Sequence, residues 1–407
     1  MLRFSVIKEN QKARVGLIKT PHGKIETPAF IFCATKGNLK GITPQQMRDA
    51  KCQIILSNTY HLEVFPGSKQ VKHMGGLQKM TGWNGPMLTD SGGYQIFAMG
   101  HGSVSQEIKG KKKRWEPTLT KINEQGAKFK SYWDSSYMQL TPEKSIQIQH
   151  NLGADIILVF DECTPFNVSK EYTEESMERS HRWSLRSLEE FRRLKIENQG
   201  LYGIIQGGIY PDLRERSIQF NNEQDFFGIA VGGSLGSDKQ TMYQTVEMTM
   251  EKIRKDKPVH LLGIGGMADI FHGIRQGIDT FDCVHPTRLG RHGSALVKAK
   301  YWKEEGKPRE SIDLNRGKFK DDLRPIDEDC GCETCQTLTR AYLHYLLKIK
   351  EGNAGTYISI HNIYFLNMMM EKIREAILEN KIEEVENEYL VDELKFYNRI
   401  TMNIGSD

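Results

Sequence analysis

Eight short apolar runs recur between residues 27 and 284, and segments of helical composition separate them. The runs cover residues 27–32, 52–58, 85–90, 154–160, 201–206, 227–233, 259–265 and 280–284. They are nearly continuous in aliphatic residues, as is typical of parallel strands buried on both faces. The pattern predicts eight parallel strands, with helices over segments such as 173–195, where Thr173 can cap, and 239–256.

A closed (β/α)8 barrel is the fold we expect. The eight runs span a length close to the roughly 250 residues typical of that fold. An open doubly wound sheet is the alternative, but no G-x-G-x-x-G follows the first run. We assign residues 1–320 to the barrel, including an insertion at about 98–150 that holds a hairpin turning near Gln125 and Gly126. Residues 321–395 form a C-terminal subdomain, and 396–407 form a tail.

Composition and charge narrow the function classes. The 407 residues carry a net charge of +4, which permits an anionic partner without requiring one. No apolar run approaches the roughly 20 residues that span a bilayer, and Lys8 and Glu9 interrupt any signal peptide. Of the seven cysteines, four are scattered, so we expect a reduced, cytoplasmic protein rather than a disulfide framework.

Polar residues follow the carboxyl ends of the predicted strands, where barrels of this kind hold their active sites. They are Asp90, Ser91 and Tyr94 after the third run, Asp161 after the fourth, Gln206 after the fifth, Gly233 at the end of the sixth and Asp282 in the eighth. Two carboxylates can cleave a glycosidic bond, while an acid, an amide and backbone groups can read a purine edge. A tyrosine can stack on a base. The set favours glycosyl transfer at a nucleobase, although any one acid could be a helix cap or a loop ion pair.

Three cysteines within six residues, Cys330, Cys332 and Cys335, indicate a metal site. Structural zinc takes four ligands, commonly three Cys and one His. His344 and His361 are the candidates for the fourth ligand. His361 is favoured because it follows the extended-looking residues 356–360 and begins a helix, whereas His344 reads as a packed or surface helix residue. No second metal set is present, so the zinc is expected to be structural.

Two basic segments are candidates for phosphate contact. Arg288 and Arg291 closely follow Asp282, and the insertion contains KGKKKR at 109–114, with Lys111, Lys112 and Lys113. Lysine and arginine bind nucleic-acid backbones mainly through charge. A solvated loop is the alternative for the lysine-rich stretch.

These motifs resemble those of tRNA-guanine transglycosylases over about residues 3–380. The matching stretches are 58–67 (NTYHLEVFPG), 88–97 (LTDSGGYQIF), 160–166 (FDECTPF), 204–208 (IIQGG), 230–234 (AVGGS), 260–265 (HLLGIG), 277–293 (GIDTFDCVHPTRLGRHG) and the Cys/His set. The resemblance implies a (β/α)8 barrel with a zinc subdomain. It also implies exchange of guanine at the wobble position of G-U-N tRNAs for a 7-deazaguanine, through a covalent Asp–RNA intermediate and without ATP or a redox cofactor.

The resemblance also assigns roles. It makes Asp282 the nucleophile and Asp90 the general acid/base. The purine would be read by Asp161, Gln206 and the Gly233 backbone, with Tyr94 stacked on it and with Ser91 and Leu262 beside it. It implies tRNA contact at Arg288 and Arg291, zinc on Cys330, Cys332, Cys335 and His361, and a homodimer.

Departures from the family pattern bear on the incoming base. Leu262 stands where bacterial members usually have Met, and Gly236 stands where they usually have a Val that narrows the pocket. At a neighbouring position of the pocket, Cys163 is the residue that bacterial members carry. We expect a pocket that accepts queuine as well as, or instead of, the small aminomethyl precursor.

Three alternative functions are considered from the sequence. One is a non-catalytic, RNA-binding partner subunit of a heterodimeric transglycosylase, which the retained Asp90 and Asp282 argue against. Another is an archaeal-type relative, which usually carries further RNA-binding domains. The last is a small-molecule glycosidase of barrel fold, which would have no use for KGKKKR.

Overall fold

The computed structural model describes residues 2–96, 119–304 and 308–395. It begins with a three-stranded antiparallel sheet that the sequence did not predict, made of β1 (Arg3–Asn10), β2 (Ala13–Thr20) and β3 (Gly23–Thr27). Arg14 of β2 is buried and donates to Asp279 through Nε at 3.0 Å. Since Asp279 immediately precedes a barrel strand, this sheet covers the amino end of the barrel.

Eight parallel strands close into a barrel, which confirms the predicted fold. The strands are β4 (Ala29–Cys33), β5 (Ile55–Ser57), β6 (Met87–Thr89), β10 (Ile156–Leu158), β11 (Gly200–Ile205), β12 (Gly228–Val231), β13 (Val259–Leu261) and β14 (Thr280–Cys283). They neighbour one another in that order, and β14 pairs with β4 to close the ring. Each predicted run contains or overlaps one strand. Every residue of β5, β6 and β10 to β13 is buried, which explains the continuous apolar pattern.

Helices connect the strands. Those of the barrel region are α1 (Pro44–Asp49), α2 (Thr59–Val64), α3 (Ser68–His73), α4 (Gly76–Thr81), α5 (Pro142–Leu152), α6 (Lys170–Arg193), α7 (Pro211–Glu223), α8 (Lys239–Lys252), α9 (Met267–Arg275) and α10 (His285–Arg291). The predicted start of α6 at Thr173 is wrong, because the Ser169 hydroxyl accepts from the Tyr172 backbone N–H at 3.2 Å and caps the helix there.

No helix in the described parts of the chain is long and apolar enough to cross a bilayer.

The insertion carries the predicted hairpin and one further strand. β7 (Leu119–Asn123) and β8 (Gly126–Lys130) turn where predicted, and β9 (Tyr137–Leu140) extends the sheet. The Phe129 ring packs against Tyr60 of α2, with ring centroids 5.2 Å apart. This contact holds the sheet next to the carboxyl end of the barrel. The lysine-rich stretch 109–114 lies outside the described residues.

The C-terminal region has its own apolar core, formed by residues such as Ala295, Phe319 and Leu343. It contains the two-stranded sheet of β15 (Ser294–Leu296) and β16 (Ser311–Asp313), the 3-10 turns Ala299–Glu304, Gly317–Phe319 and Asp392–Leu394, and helices α11 (Glu333–Thr337), α12 (Arg340–Lys348), α13 (Gly352–Glu379) and α14 (Ile382–Tyr389). The expectation of extended chain at 356–360 is wrong, because these residues lie within α13. The domain boundary at residue 321 stays a prediction.

Tertiary contacts explain why this segment is helical. Asn362 of α13 accepts from the Leu296 backbone N–H at 2.8 Å and donates to the Pro286 carbonyl at 2.8 Å. These bonds tie α13 to β15 and α10 at once, so packing overrides the β-branched composition of the segment.

Candidate active site and metal centre

The structure brings the three predicted acids together at the carboxyl end of the barrel. Asp90 directly follows β6, Asp161 lies three residues beyond β10, and Asp282 is within β14. Their charges act on one another, since Asp282 raises the pKa of Asp90 and Asp90 raises that of Asp161, in both cases as a smaller cause than burial. The sequence prediction of one converging rim is therefore correct for these residues.

Asp90 is half-buried and is surrounded by hydrogen-bond donors. Its carboxylate accepts from the Thr59 backbone N–H at 2.8 Å, from Gln95 Nε2 at 2.7 Å and from the Asn58 side-chain amide. Burial raises the pKa of Asp90 to about 6, and the three hydrogen bonds oppose that rise. A carboxyl group with such a pKa can both give and take a proton near neutral pH.

Asp161 belongs to a second buried cluster. It accepts from Ser91 Oγ at 2.8 Å and from Gln206 Nε2 at 2.7 Å, and burial raises its pKa to about 6. Gly233 lies against Gln206, because a Cβ at Gly233 would be 2.8 Å from Gln206 Oε1. The four residues therefore form one group of acceptors, donors and backbone, as recognition of a purine edge requires.

Asp282 lies a short distance across the same mouth. It is 8% exposed, and its Oδ1 accepts from the Gly263 backbone N–H at 2.9 Å. Cys33 Sγ lies 3.5 Å from Oδ2, and His260 Nε2 lies 3.2 Å from Oδ1. Cys33 and His260 were not singled out from the sequence, because Cys33 directly follows the apolar run 27–32 and His260 lies inside the run 259–265, so both have the pattern of core residues.

Tyr94 and Leu262 also lie at this mouth. Tyr94 is 47% exposed, and its pKa is raised by burial of the hydroxyl and by the charges of Cys163, Cys283 and Asp282. Leu262 packs partly buried against the barrel core. Both positions suit contact with a flat apolar ligand.

Arg214 is a support for the site that the sequence analysis missed. It is fully buried on α7, where it donates through Nε to the Gly208 carbonyl at 2.6 Å and through Nη2 to the Gly232 carbonyl at 2.8 Å. Burial lowers its pKa to about 9. It thus joins the loops that follow β11 and β12, but an arginine in the polar segment 211–217 gives no sequence signal of burial.

Glu162, next to Asp161, has a structural role. Its carboxylate accepts from Tyr172 Oη at 2.7 Å and forms an ion pair with Arg179. Only Asp161 of this acidic pair is therefore available at the mouth.

The four predicted metal ligands come together. The ligand atoms of Cys330, Cys332, Cys335 and His361 lie within 4.8 Å of one another, and all four residues are buried. His361 Nδ1 is 3.6, 3.7 and 3.3 Å from the three sulfur atoms in that order. In a tetrahedral site with Zn–S of about 2.3 Å and Zn–N of about 2.1 Å, S and N ligands are about 3.6 Å apart. This cluster can hold a metal ion.

A second contact orients the ligand histidine. His361 Nε2 lies 2.8 Å from the Leu296 carbonyl oxygen, so Nε2 carries the proton and Nδ1 is free to bind a metal. His361 lies in the middle of α13, not at a helix start as predicted. His344 faces elsewhere, with Nδ1 2.7 Å from the Leu314 carbonyl.

Arg288 and Arg291 are exposed on α10, immediately after Asp282. Within the described parts of the chain, neither arginine forms an ion pair. Burial and the charge of Arg288 lower the pKa of Arg291. Two adjacent cations without a carboxylate partner offer a site for an anion.

Comparisons with known proteins agree with this geometry. A family model described as "Queuine tRNA-ribosyltransferase" matches residues 9–393. A queuine tRNA-ribosyltransferase of Roseiflexus sp. (strain RS-1) is 42% identical over 393 residues, which cover 94% of this chain and 96% of that protein. One of Staphylococcus aureus (strain JH9) is 42% identical over 378 residues, which cover 93% and 92%. The chain belongs to the queuine tRNA-ribosyltransferase family, the tRNA-guanine transglycosylases.

Proposed function

We propose that this chain exchanges guanine at the wobble position of G-U-N tRNAs for a 7-deazaguanine. The observation that carries the proposal is the pairing, at one barrel mouth, of Asp282 with a half-buried Asp90 whose pKa is raised to about 6. The purine-edge cluster around Asp161 stands beside that pair. A base can reach this depth only after leaving its stack.

Each carboxylate has a step in the exchange. Asp282 attacks the ribose C1′ and forms an ester while the C1′–N9 bond breaks and its electron pair goes to the base. Protonated Asp90 supplies the proton that the departing guanine needs. The incoming base reverses the sequence and returns its proton to Asp90. Since the ester retains the glycosidic bond energy, no ATP is consumed.

The remaining residues bind the substrate. Asp161, Gln206 and Ser91 hold the purine edge together with the Gly233 backbone, and Tyr94 stacks on the base beside Leu262. Arg288 and Arg291 contact phosphates of the tRNA, as do Lys111, Lys112 and Lys113. A non-catalytic partner subunit is the second candidate, and the intact pair of Asp90 and Asp282 argues against it.

The exchange reaction tests the function directly. Purified chain is mixed with radiolabelled guanine and a G-U-N tRNA, with Asp282→Asn as the matched control. We expect label to enter the RNA with the wild type only, and a covalent RNA adduct to appear on a denaturing gel with the wild type only. Absence of label despite tRNA binding would support the partner-subunit function, and an adduct with Asp282→Asn would reassign the nucleophile.

The incoming base is proposed to include queuine. Gly236 has a φ of 116°, and a Cβ there would lie 2.7 Å from Thr241 Cγ2. A valine does not fit this backbone conformation. The loop at Gly236 therefore follows a different path from that in family members that have valine at this position. On the proposal that this loop path leaves room for the 7-substituent, queuine should displace labelled guanine from loaded tRNA. Displacement by the aminomethyl precursor alone would overturn this assignment.

The pKa of Asp90 predicts a pH dependence for adduct formation. Because the carboxyl group must be protonated to act as an acid, the single-turnover rate should fall as pH rises above about 6. Asp90→Asn should lower the rate about 10²- to 10⁴-fold and remove that transition. Asp161 has a similar pKa, so a transition that survives in Asp90→Asn belongs to Asp161. A wild-type rate that is constant between pH 5.5 and 7.5 would contradict the assignment.

We propose that the metal on the cysteine cluster is one structural Zn²⁺ per chain. Metal content and thermal unfolding of Cys332→Ser test this, with Cys52→Ser as the control because Cys52 is a buried thiol outside the cluster. Cys332→Ser should lose zinc and melt at lower temperature, since structural zinc contributes folding free energy. Equal zinc content in both variants would exclude the site.

A homodimer completes the proposal. In the C-terminal region, Tyr342 and Tyr345 of α12 are 45% and 55% exposed, and Ile349, just after the helix, is 53% exposed. Such a group of large apolar side chains is typical of a protein interface. Sedimentation at the mass of one chain at micromolar concentration would reject this face as a stable dimer contact.

A further inference from the structure

His260 is a fully buried histidine that faces the proposed nucleophile. It lies on β13, where it pairs with Thr280 of β14, and it has no exposed surface. Its Nδ1 is 2.9 Å from Thr280 Oγ1, and its Nε2 is 3.2 Å from Asp282 Oδ1. The second contact is too poorly directed to count as a hydrogen bond, and Nε2 has no other hydrogen-bond partner in the described parts of the chain.

The carboxylate decides where the imidazole proton resides. A bare Nε2 would place its lone pair 3.2 Å from an anionic oxygen, which is repulsive, whereas an Nε2–H is attracted to that oxygen. With Nε2 protonated, Nδ1 accepts from the Thr280 hydroxyl, which can rotate to donate. The Thr280 contact is thus compatible with an imidazole that carries its N–H at Nε2, on the side of Asp282.

The two carboxylate oxygens have different surroundings. Oδ1 receives the Gly263 backbone N–H at 2.9 Å and faces His260, while Oδ2, among the described residues, has only the Cys33 thiol at 3.5 Å. A thiol is a weak donor. The electron pairs of Oδ2 are consequently the ones available to a reacting carbon.

We propose that His260 is a positioning residue that holds Oδ1 of Asp282 together with Gly263, so that Oδ2 attacks the ribose. This inference rests on the proposed function. The Oδ2–C1′ bond forms as the C1′–N9 bond breaks, the electron pair goes to the base, and Asp90 protonates the base. His260 keeps its proton throughout and touches neither base nor ribose.

A pair of amide variants separates this role from packing. The amide nitrogen of Gln can replace Nε2, whereas that of Asn reaches only the position of Nδ1. His260→Gln and His260→Asn are compared with the wild type and with His272→Gln, a change at another buried histidine, on α9. The measurements are the single-turnover rate of covalent adduct formation, the dissociation constant for tRNA and the melting temperature.

His260→Asn should form adduct about 10- to 100-fold more slowly, somewhat less than the loss expected when one of the donors to a reacting oxygen is removed completely. His260→Gln should recover most of the rate, and tRNA affinity should change less than about twofold in both. His272→Gln should react at the wild-type rate.

Two results would overturn the inference: a wild-type rate in His260→Asn, or equal losses in the Asn and Gln variants. A wild-type chain that forms no adduct would instead overturn the proposed function, and this inference with it.

Discussion

Removal of carboxylates from water at one end of the barrel is the constraint on which the site depends. Burial raises the pKa of both Asp90 and Asp161 to about 6, even though each accepts hydrogen bonds that favour its ionised form. Desolvation therefore exceeds hydrogen bonding at both positions. The donors still matter, because removing a carboxyl group from water without hydrogen-bond partners is costly in free energy.

The barrel provides this environment through its own packing. Parallel strands buried on both faces leave water only at their ends, and the acids lie at or just beyond the carboxyl ends. At the opposite end, the pairing of Arg14 with Asp279 closes the barrel under the N-terminal sheet. The C-terminal Cys/His cluster connects to the same framework through α13, since Asn362 binds β15 and α10, and α10 begins three residues after Asp282.

Sequence reasoning succeeded where one chemical pattern has one structural meaning. The eight strands were found because two-sided burial demands unbroken apolar runs, and three closely spaced cysteines have few uses besides a metal. It failed where tertiary contacts decide. Most side chains of β1 are exposed, so the sequence contains no continuous apolar run that would predict this strand. In the sequence, His260 has the pattern of an ordinary core residue, and its proposed role depends on its position next to Asp282. Arg214 likewise has the pattern of an ordinary helix residue, and its role depends on its bonds to the carbonyls of Gly208 and Gly232.

The central claim is that a carboxylate of Asp282 forms the bond to RNA while Asp90 handles the proton. The most direct measurement is mass-spectrometric mapping of the trapped RNA adduct after proteolysis at acidic pH. We expect ribose attached to the peptide that contains Asp282, with the peptides containing Asp90 and Asp161 unmodified. Ribose on either of those two peptides would contradict it.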